Sequence, residues 1–469
     1  MSYRVPFEVP ELSYEESLRQ LHATLKFGIQ PLLETVVDML EECGNPDLCY
    51  DCVQVAGTNG KTSTSRYAAA ILMGEGYRTA LYTSPELVSY TERMEVDGAP
   101  VSEEAFAHGL SAAIEAGRRV NERRSAAGER PYDVTEFDLL TVAALVVYAE
   151  AGIDVAVLEV GMGGRWDATS AAKSIKAVTV TGVGLDHTRI LGDTLEAIAG
   201  EKAAVIRAGR SCVLGVGTAT PDSVEDVFLA QCAGQGVEPV LLRPIKLADA
   251  AGEMAEGEPR PHEELPHASY LVTRRPLGIG LPLELTVTTP RATYEGLAAL
   301  KPAYQAANIA CAVVLCENYL GRSLNTDVLY DSVMSCPTPG RFDVVRLDPV
   351  GMIDACHNPQ SVETFLTAVR AVAPQVSERP TLLAAVLADK DVDGIVELLA
   401  KEFPRICVTQ TTSPRALSAE ELAARFERAE ACVVGVYPTV DRALAALRDE
   451  PFVACGSITL AGEVAGLLR

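Results

Sequence analysis

The chain has 469 residues, 48% hydrophobic and 22% charged, which suits two or three globular domains and excludes collagen-like, disordered and coiled-coil classes. Forty basic against 64 acidic residues leave a net charge of −24, a surface that repels nucleic acid and anionic lipid, so an anionic substrate must be held by a small local set of cations and backbone N–H groups. The longest nearly apolar run, Leu139 to Ala149, is too short to cross a bilayer, the N-terminus shows no basic-then-apolar leader, and the scattered cysteines suit reduced thiols, so a cytoplasmic protein without membrane or nucleic-acid partners is expected.

In chain order, Cys52 to Ala56 predicts a short strand ending in Gly57, and Thr62 to Gly74 a helix. A strand over Arg78 to Thr83 follows. Two helices come next, Ser102 to Ala126 with Ser102 as N-cap and Thr135 to Ala149. Ile153 to Val160 and Ile175 to Val183 are apolar strands, Thr194 to Ala208 a helix and Cys212 to Val216 a strand. Asp249 to His267 lacks an apolar period and predicts a surface loop or linker; Leu281 to Thr289 alternates as an exposed strand. Beyond it the strand–helix rhythm resumes, with helices at Tyr304 to Tyr319, Ser361 to Val372 and Ser418 to Arg428. The strands are Val350 to Asp354, Thr381 to Leu387, Ile406 to Thr409 and Cys432 to Val436. Alternation of this kind predicts an α/β protein with a doubly wound, mostly parallel sheet and a second, smaller α/β domain, the boundary placed between 298 and 299.

Four clusters carry chemistry, each just after a strand. Gly57-Thr58-Asn59-Gly60-Lys61-Thr62-Ser63 opens a helix. Its backbone N–H groups can cradle phosphates, Lys61 can reach the terminal ones, and Thr62 or Ser63 can face Mg²⁺. The usual P-loop wants a glycine where Val55 stands. Glu159 to Thr169 is a glycine-rich turn at a strand's C-terminal end, where parallel sheets bind ligands. Gly184-Leu185-Asp186-His187-Thr188 offers His187 as a metal ligand or base, and Asp354-Ala-Cys-His357-Asn358-Pro359 a polar strand end, with Ser361 capping the next helix. Cys49 and Cys52 form one C-x-x-C near Cys43, with no second pair at zinc spacing.

These blocks, with Thr83-Ser84-Pro85, Thr135-Glu136-Phe137, Glu201-Lys202-Ala203 and Pro339-Gly340-Arg341-Phe342, stand in the order that resembles folylpolyglutamate synthases and dihydrofolate synthases of the Mur ligase superfamily, over nearly the whole chain from Phe27-Gly28-Ile29 to Gly456-Ser457. The resemblance implies a P-loop ATPase domain and a smaller Rossmann-like domain. It implies ATP-dependent ligation of L-glutamate to a folate carboxylate through an acyl phosphate, with dihydropteroate as a further acceptor. It also implies Mg²⁺ held by Thr62, Ser84, Asp138 and His187, a carbamylated Lys202, and catalytic roles for Lys61, His187, Lys202 and His357. Nucleotide contacts are implied at Gly57, Thr58, Asn59, Gly60, Lys61, Thr62 and Ser63, and from the second domain at Asn308, Arg341 and Asp354. Asp138, Thr62, Glu86 and Tyr304 depart from the residues relatives often carry there. A Mur-type ligase acting on a peptidoglycan precursor and a non-catalytic nucleotide switch are the rival readings; the second-domain Arg341, Asp354 and His357 have no use in a switch. A monomer is expected.

Overall fold

Strand β1 (Asp51–Ala56) runs through the middle of a sheet whose apolar residues alternate between two faces: Cys52 and Ala56 join one core, Val53 and Val55 the other. That two-residue period is why helices cover both sides. In chain order the other strands of this sheet are β2 (Thr79–Tyr82), β3 (Met94–Val96), β4 (Ala99–Pro100), β5 (Val155–Glu159), β6 (Ile175–Gly182), β7 (Ser211–Gly217), β8 (Pro239–Pro244), β9 (His267–Arg274), β10 (Leu283–Thr288) and β11 (Thr293–Ala299). They lie in the order β11-β10-β9-β8-β7-β6-β1-β5-β2-β3-β4. The run from β2 to β9 is parallel; β3-β4 and β10-β11 add antiparallel edges. The computed structural model describes residues 3–24, 32–245 and 262–468; Phe27-Gly28-Ile29 and most of the loop expected over Asp249 to His267 lie outside the described residues.

A second sheet of six strands, β12 (Asp343–Leu347), β13 (Val350–Ile353), β14 (Thr381–Ala384), β15 (Ile406–Thr409), β16 (Val433–Tyr437) and β17 (Phe452–Cys455), has the order β12-β13-β17-β14-β15-β16, parallel except for β12. The mixed α/β class and the two sheets follow the sequence reading. The boundary does not. Helices Gln305–Leu320 and Thr326–Ser335 bury Ile309, Val313, Leu329 and Val333 in the same core as Val53 and Val157, so they belong to the first domain. The change of domain falls between Ser335 and Asp343 rather than at 298, because an apolar helix face goes where unmatched apolar sheet surface awaits it.

Local signals held where side chains close the backbone. Ser102 Oγ accepts from Ala105 N at 3.1 Å, Thr194 Oγ1 from Ala197 N at 3.1 Å and Ser418 Oγ from Glu421 N at 3.2 Å, each at a helix start. The helix from Thr194 ends at Ala203, short of Ala208. Ser361 does not cap the helix Pro359–Val372: Asn358 is the N-cap and Ser361 its reciprocal partner inside the first turn.

Candidate active site

The loops after β1 and β6 meet the second domain at the turn after β13 and at Lys390, through hydrogen bonds of Asn59 and Asp186 with Gln360, Asn358 and Lys390, and the cleft of interest lies along that seam. After β1 the chain turns through Gly57 and Gly60 into the helix Lys61–Gly74. Both glycines are required: φ is +147° and +84°, and a Cβ would lie 1.9 Å from Thr181 Oγ1 at the first and 2.5 Å from Asn308 Oδ1 at the second. The turn is laced down, with Thr181 Oγ1 donating to Asn59 O at 2.6 Å and Gly184 N donating to Thr58 Oγ1 at 3.0 Å. Lys61 Nζ donates to the carbonyls of Gly57 at 3.1 Å and Thr58 at 3.2 Å, which keeps its charge at the mouth of the loop. Burial lowers its pKa, while Glu159 and Asp186 pull the other way.

The two hydroxyls after Lys61 face opposite ways. Ser63 Oγ accepts from Gln305 Nε2 at 3.1 Å on the buried side, and Asn308 Nδ2 donates to Gln305 Oε1 at 2.7 Å. Asn308 thus supports the loop from the first domain, not the second. Thr62 Oγ1 donates to Glu159 Oε1 at 2.9 Å in the cleft. Glu159 is 2% exposed, and its other oxygen, Oε2, is buried without a hydrogen-bond partner. Burial raises its pKa; Lys61, Thr62, Arg341 and the Ser84 backbone N–H favour the charged form. A buried carboxylate oxygen left open beside a hydroxyl and a lysine is a vacant donor for a hard cation.

The sequence reading assigned Glu159 no role. Its signal was an acid closing the fully buried strand β5, where an aliphatic residue would suit the core. Asp138, expected at the cation, is placed otherwise: its Oδ2 accepts from Thr135 N at 2.9 Å and its N–H donates to Thr135 Oγ1 at 3.2 Å, closing the start of the helix Glu136–Ala151. At three residues from a threonine N-cap, the cap competes for that carboxylate. Ser84 precedes a cis Pro85 and stands with its backbone near Glu159.

The glycine-rich turn after Glu159 works as scaffold. Asp167 accepts from Met162 N at 2.9 Å and Thr169 N at 3.0 Å, and a Cβ on Gly164 would lie 3.0 Å from the Glu201 carbonyl. The turn therefore packs on the helix that carries Lys202. Lys202 is 4% exposed and its Nζ donates to Gly57 O at 2.9 Å. Burial and the nearby Lys61 push its pKa down to about 7.

His187 has φ +52° and keeps 40% of its side chain exposed; the partial desolvation of the ring, with the cations Lys390 and Lys61, pushes it down to about 4 against the pull of Asp186, which favours the neutral ring at neutral pH. Asp186 beside it crosses to the second domain. It accepts from Lys390 Nζ at 2.7 Å and from Asn358 Nδ2 at 3.4 Å, and lies 3.6 Å from His357 Nε2. Burial opposes its charge, but the hydrogen bond from His357 and the Lys390 ammonium outweigh burial and hold the carboxyl well below the usual range. His357 donates from Nδ1 to Ala355 O at 2.9 Å, which leaves Nε2 toward the cleft. Asn358 belongs to the polar strand end that the sequence marks, whereas nothing along the chain marks Lys390 or Gln360, because their place is set by a neighbouring domain.

Asp354 is 3% exposed and saturated: Oδ2 accepts from Phe342 N at 2.9 Å and Tyr304 Oη at 3.3 Å, Oδ1 from Cys356 N at 2.9 Å. It shapes the turn that carries Arg341, whose charge acts on Lys61, Glu159 and Asp354.

Residues 55–219 match the Mur ligase middle domain and residues 340–451 the Mur ligase glutamate ligase domain. A dihydrofolate synthase/folylpolyglutamate synthase of Mycobacterium tuberculosis is 32% identical over 408 residues, covering 84% of this chain and 77% of the relative. The chain belongs to the folylpolyglutamate synthase and dihydrofolate synthase family. Another member, a dihydrofolate synthase/folylpolyglutamate synthase of Escherichia coli, is 33% identical over 374 residues, 78% of this chain and 75% of that one. Among solved structures of the family, Mycobacterium tuberculosis folylpolyglutamate synthase complexed with ADP aligns with a TM-score of 0.82 at 27% identity, covering 97% of this chain and 98% of that one. An FPGS–AMPPCP–folate complex aligns at 0.76 with 25% identity, covering 98% and 100%. The family's two-domain ATP-dependent ligase fold is therefore the frame in which the Gly57–Ser63 loop and the Asp186 cluster face one another.

Proposed function

We propose that the protein joins L-glutamate to a folate carboxylate with ATP, accepting both a reduced folate and dihydropteroate. The observation that carries this reading is the pairing of a phosphate loop and an open buried carboxylate, Glu159, with a second-domain cluster of His357 and Lys390 around Asp186. A carboxylate is a poor electrophile. Its oxygen takes the γ-phosphoryl group, releasing ADP; the glutamate amine then attacks the acyl carbon, loses a proton, and phosphate leaves with its oxygen. Lys61, Arg341 and the backbone N–H groups of Gly57 to Ser63 hold and neutralise the phosphates, which two meeting anions require. His357 and Lys390 present the amino-acid half of the cleft.

Mg²⁺ fits this donor set, with the Glu159 and Thr62 oxygens as hard ligands, Ser84 at hand and the neutral His187 ring; when bound it would offset phosphate charge. Asp138 is not proposed for it. Lys202 supplies a buried amine that is partly neutral near pH 7, the form that adds CO₂ to give a carbamate with loss of a proton. Such a head would replace a cation by an anion beside Lys61. Among the described residues no helix is long and apolar enough to cross a membrane, and all twelve cysteines are free thiols, most of them buried, which supports a reducing, cytoplasmic setting. We propose a monomer, checked by sedimentation.

The decisive experiment measures ADP release and product mass with dihydropteroate, tetrahydrofolate or a peptidoglycan precursor, with and without L-glutamate. Folate-dependent ADP release and a product heavier by one glutamate are expected. ADP release indifferent to any acceptor would favour a nucleotide switch, and turnover on the peptidoglycan precursor alone would favour the Mur-type reading.

A further inference from the structure

We propose that Gln360 is a positioning residue that couples the phosphate loop to the amino-acid half of the cleft. The inference rests on the ligase reading above and adds a residue to it. Asn59 sits at the crest of the loop, and its side-chain amide is held at both ends by the second domain. Asn59 Nδ2 donates to Gln360 Oε1 at 2.7 Å, and Asn59 Oδ1 accepts from Asn358 Nδ2 at 3.3 Å. An amide held through both its donor and its acceptor has its orientation set, which one bond alone would not do.

The clasp is continuous with the cluster on the other side. Asn358 Nδ2 also lies 3.4 Å from Asp186 Oδ2, while its Oδ1 caps the helix Pro359–Val372 by accepting from Ser361 N at 2.8 Å. Asp186 in turn takes Lys390 Nζ at 2.7 Å and faces His357. Gln360 and Asn358 thus extend from one rigid helix start, and that start touches the phosphate loop and the His357–Lys390 pair together. A ligand that fixes Asn59 favours this position of the helix start, and so favours the arrangement of His357 and Lys390.

Gly184 marks how closely Gln360 must approach. A Cβ at Gly184 would lie 2.1 Å from Gln360 Oε1 and 2.9 Å from its Cδ. The φ of Gly184 lies outside the left-handed region, so alanine there meets no backbone penalty and its direct obstacle is the Gln360 side chain. A side chain at 184 would therefore turn the flexible Gln360 amide away from the loop.

The experiment measures AMPPCP affinity by calorimetry with and without saturating L-glutamate, and the KM for L-glutamate in folate-dependent turnover, for wild type, Gln360→Ala, Gly184→Ala and the double variant. Gln360 is exposed, so its removal leaves the fold intact. Wild type is expected to bind AMPPCP more tightly when L-glutamate is present. Gln360→Ala loses roughly three- to tenfold of that coupling, the size of one neutral hydrogen bond, and raises the KM for L-glutamate by a similar factor. Gly184→Ala loses as much, and the double variant no more than either, because the obstacle and its target are the same pair. Unchanged coupling in Gln360→Ala, multiplying losses in the double variant, or no coupling in wild type overturns the proposal. A wild-type enzyme without folate-dependent turnover would instead overturn the ligase reading.

Discussion

On the first-domain wall of the cleft, Glu159 keeps a buried oxygen without a partner and Lys202 a buried amine bound to one carbonyl, whereas on the second-domain wall Asp354 accepts from three donors and Asn358 and Ser361 close a helix cap. Both walls are rich in acids and amides at strand ends, and from composition alone they look alike. What separates Glu159 and Lys202 from Asp354 and Asn358 is leftover bonding capacity. A group whose bonds are complete holds shape; a buried group with a bond unmade is costly to keep, and it persists where a ligand completes it.

Removing the loop's cation should give the largest effect. Lys61→Ala is expected to lower turnover at least on the order of 10²- to 10³-fold with an unchanged circular dichroism spectrum, since among the described residues its hydrogen bonds go to its own loop carbonyls. Near-normal turnover would remove the loop from the chemistry.

Glu159→Gln separates charge from shape on the same wall. The amide oxygen can still accept from Thr62, but the buried charge is gone. The half-saturating Mg²⁺ concentration should rise roughly 10-fold or more, while the melting temperature of the metal-free protein rises. A fall in melting temperature would show that Oε2 is satisfied in solution and would blur the contrast between the walls.

Lys202→Met tests the buried amine through pH. The folded-state pKa of about 7 lies below the ordinary lysine value of 10.5, so between those values the unfolded chain binds the extra proton and stability rises with pH. In CO₂-free buffer the variant should melt above the wild type at neutral pH, with the gap narrowing as pH approaches about 10.5, and it should lose activity. A pH-independent gap would mean that Lys202 is not held near neutrality.

At Asp354, which already accepts from three donors, the effect should be smaller and of another kind. Asp354→Asn turns one acceptor oxygen into a donor facing N–H groups and should cost about 1–3 kcal/mol of second-domain stability by urea unfolding. The KM for ATP should change through Arg341, whose turn loosens, and Arg341→Ala should raise that KM by more than Asp354→Asn does. The reverse order would place Asp354 on the nucleotide itself.

Much of this was legible along the chain. The apolar runs at Cys52–Ala56 and Ile153–Val160, the caps at Ser102 and Thr194, and the glycine-lysine turn between them depend on neighbours a few residues apart, where backbone geometry and side-chain chemistry leave few alternatives. The α/β class and the strand–turn–helix that carries Gly57 to Ser63 follow from that local physics. Tertiary structure decided the rest. It sent Gln305–Leu320 to the first sheet, gave Asp138 to a helix cap and Glu159 to Thr62, turned Ser63 inward, and brought Asn358, Gln360 and Lys390 to residues far away in sequence. A side chain's partner across the fold is chosen by which unsatisfied group lies within about 3 Å after packing, and spacing along the chain carries no record of that distance.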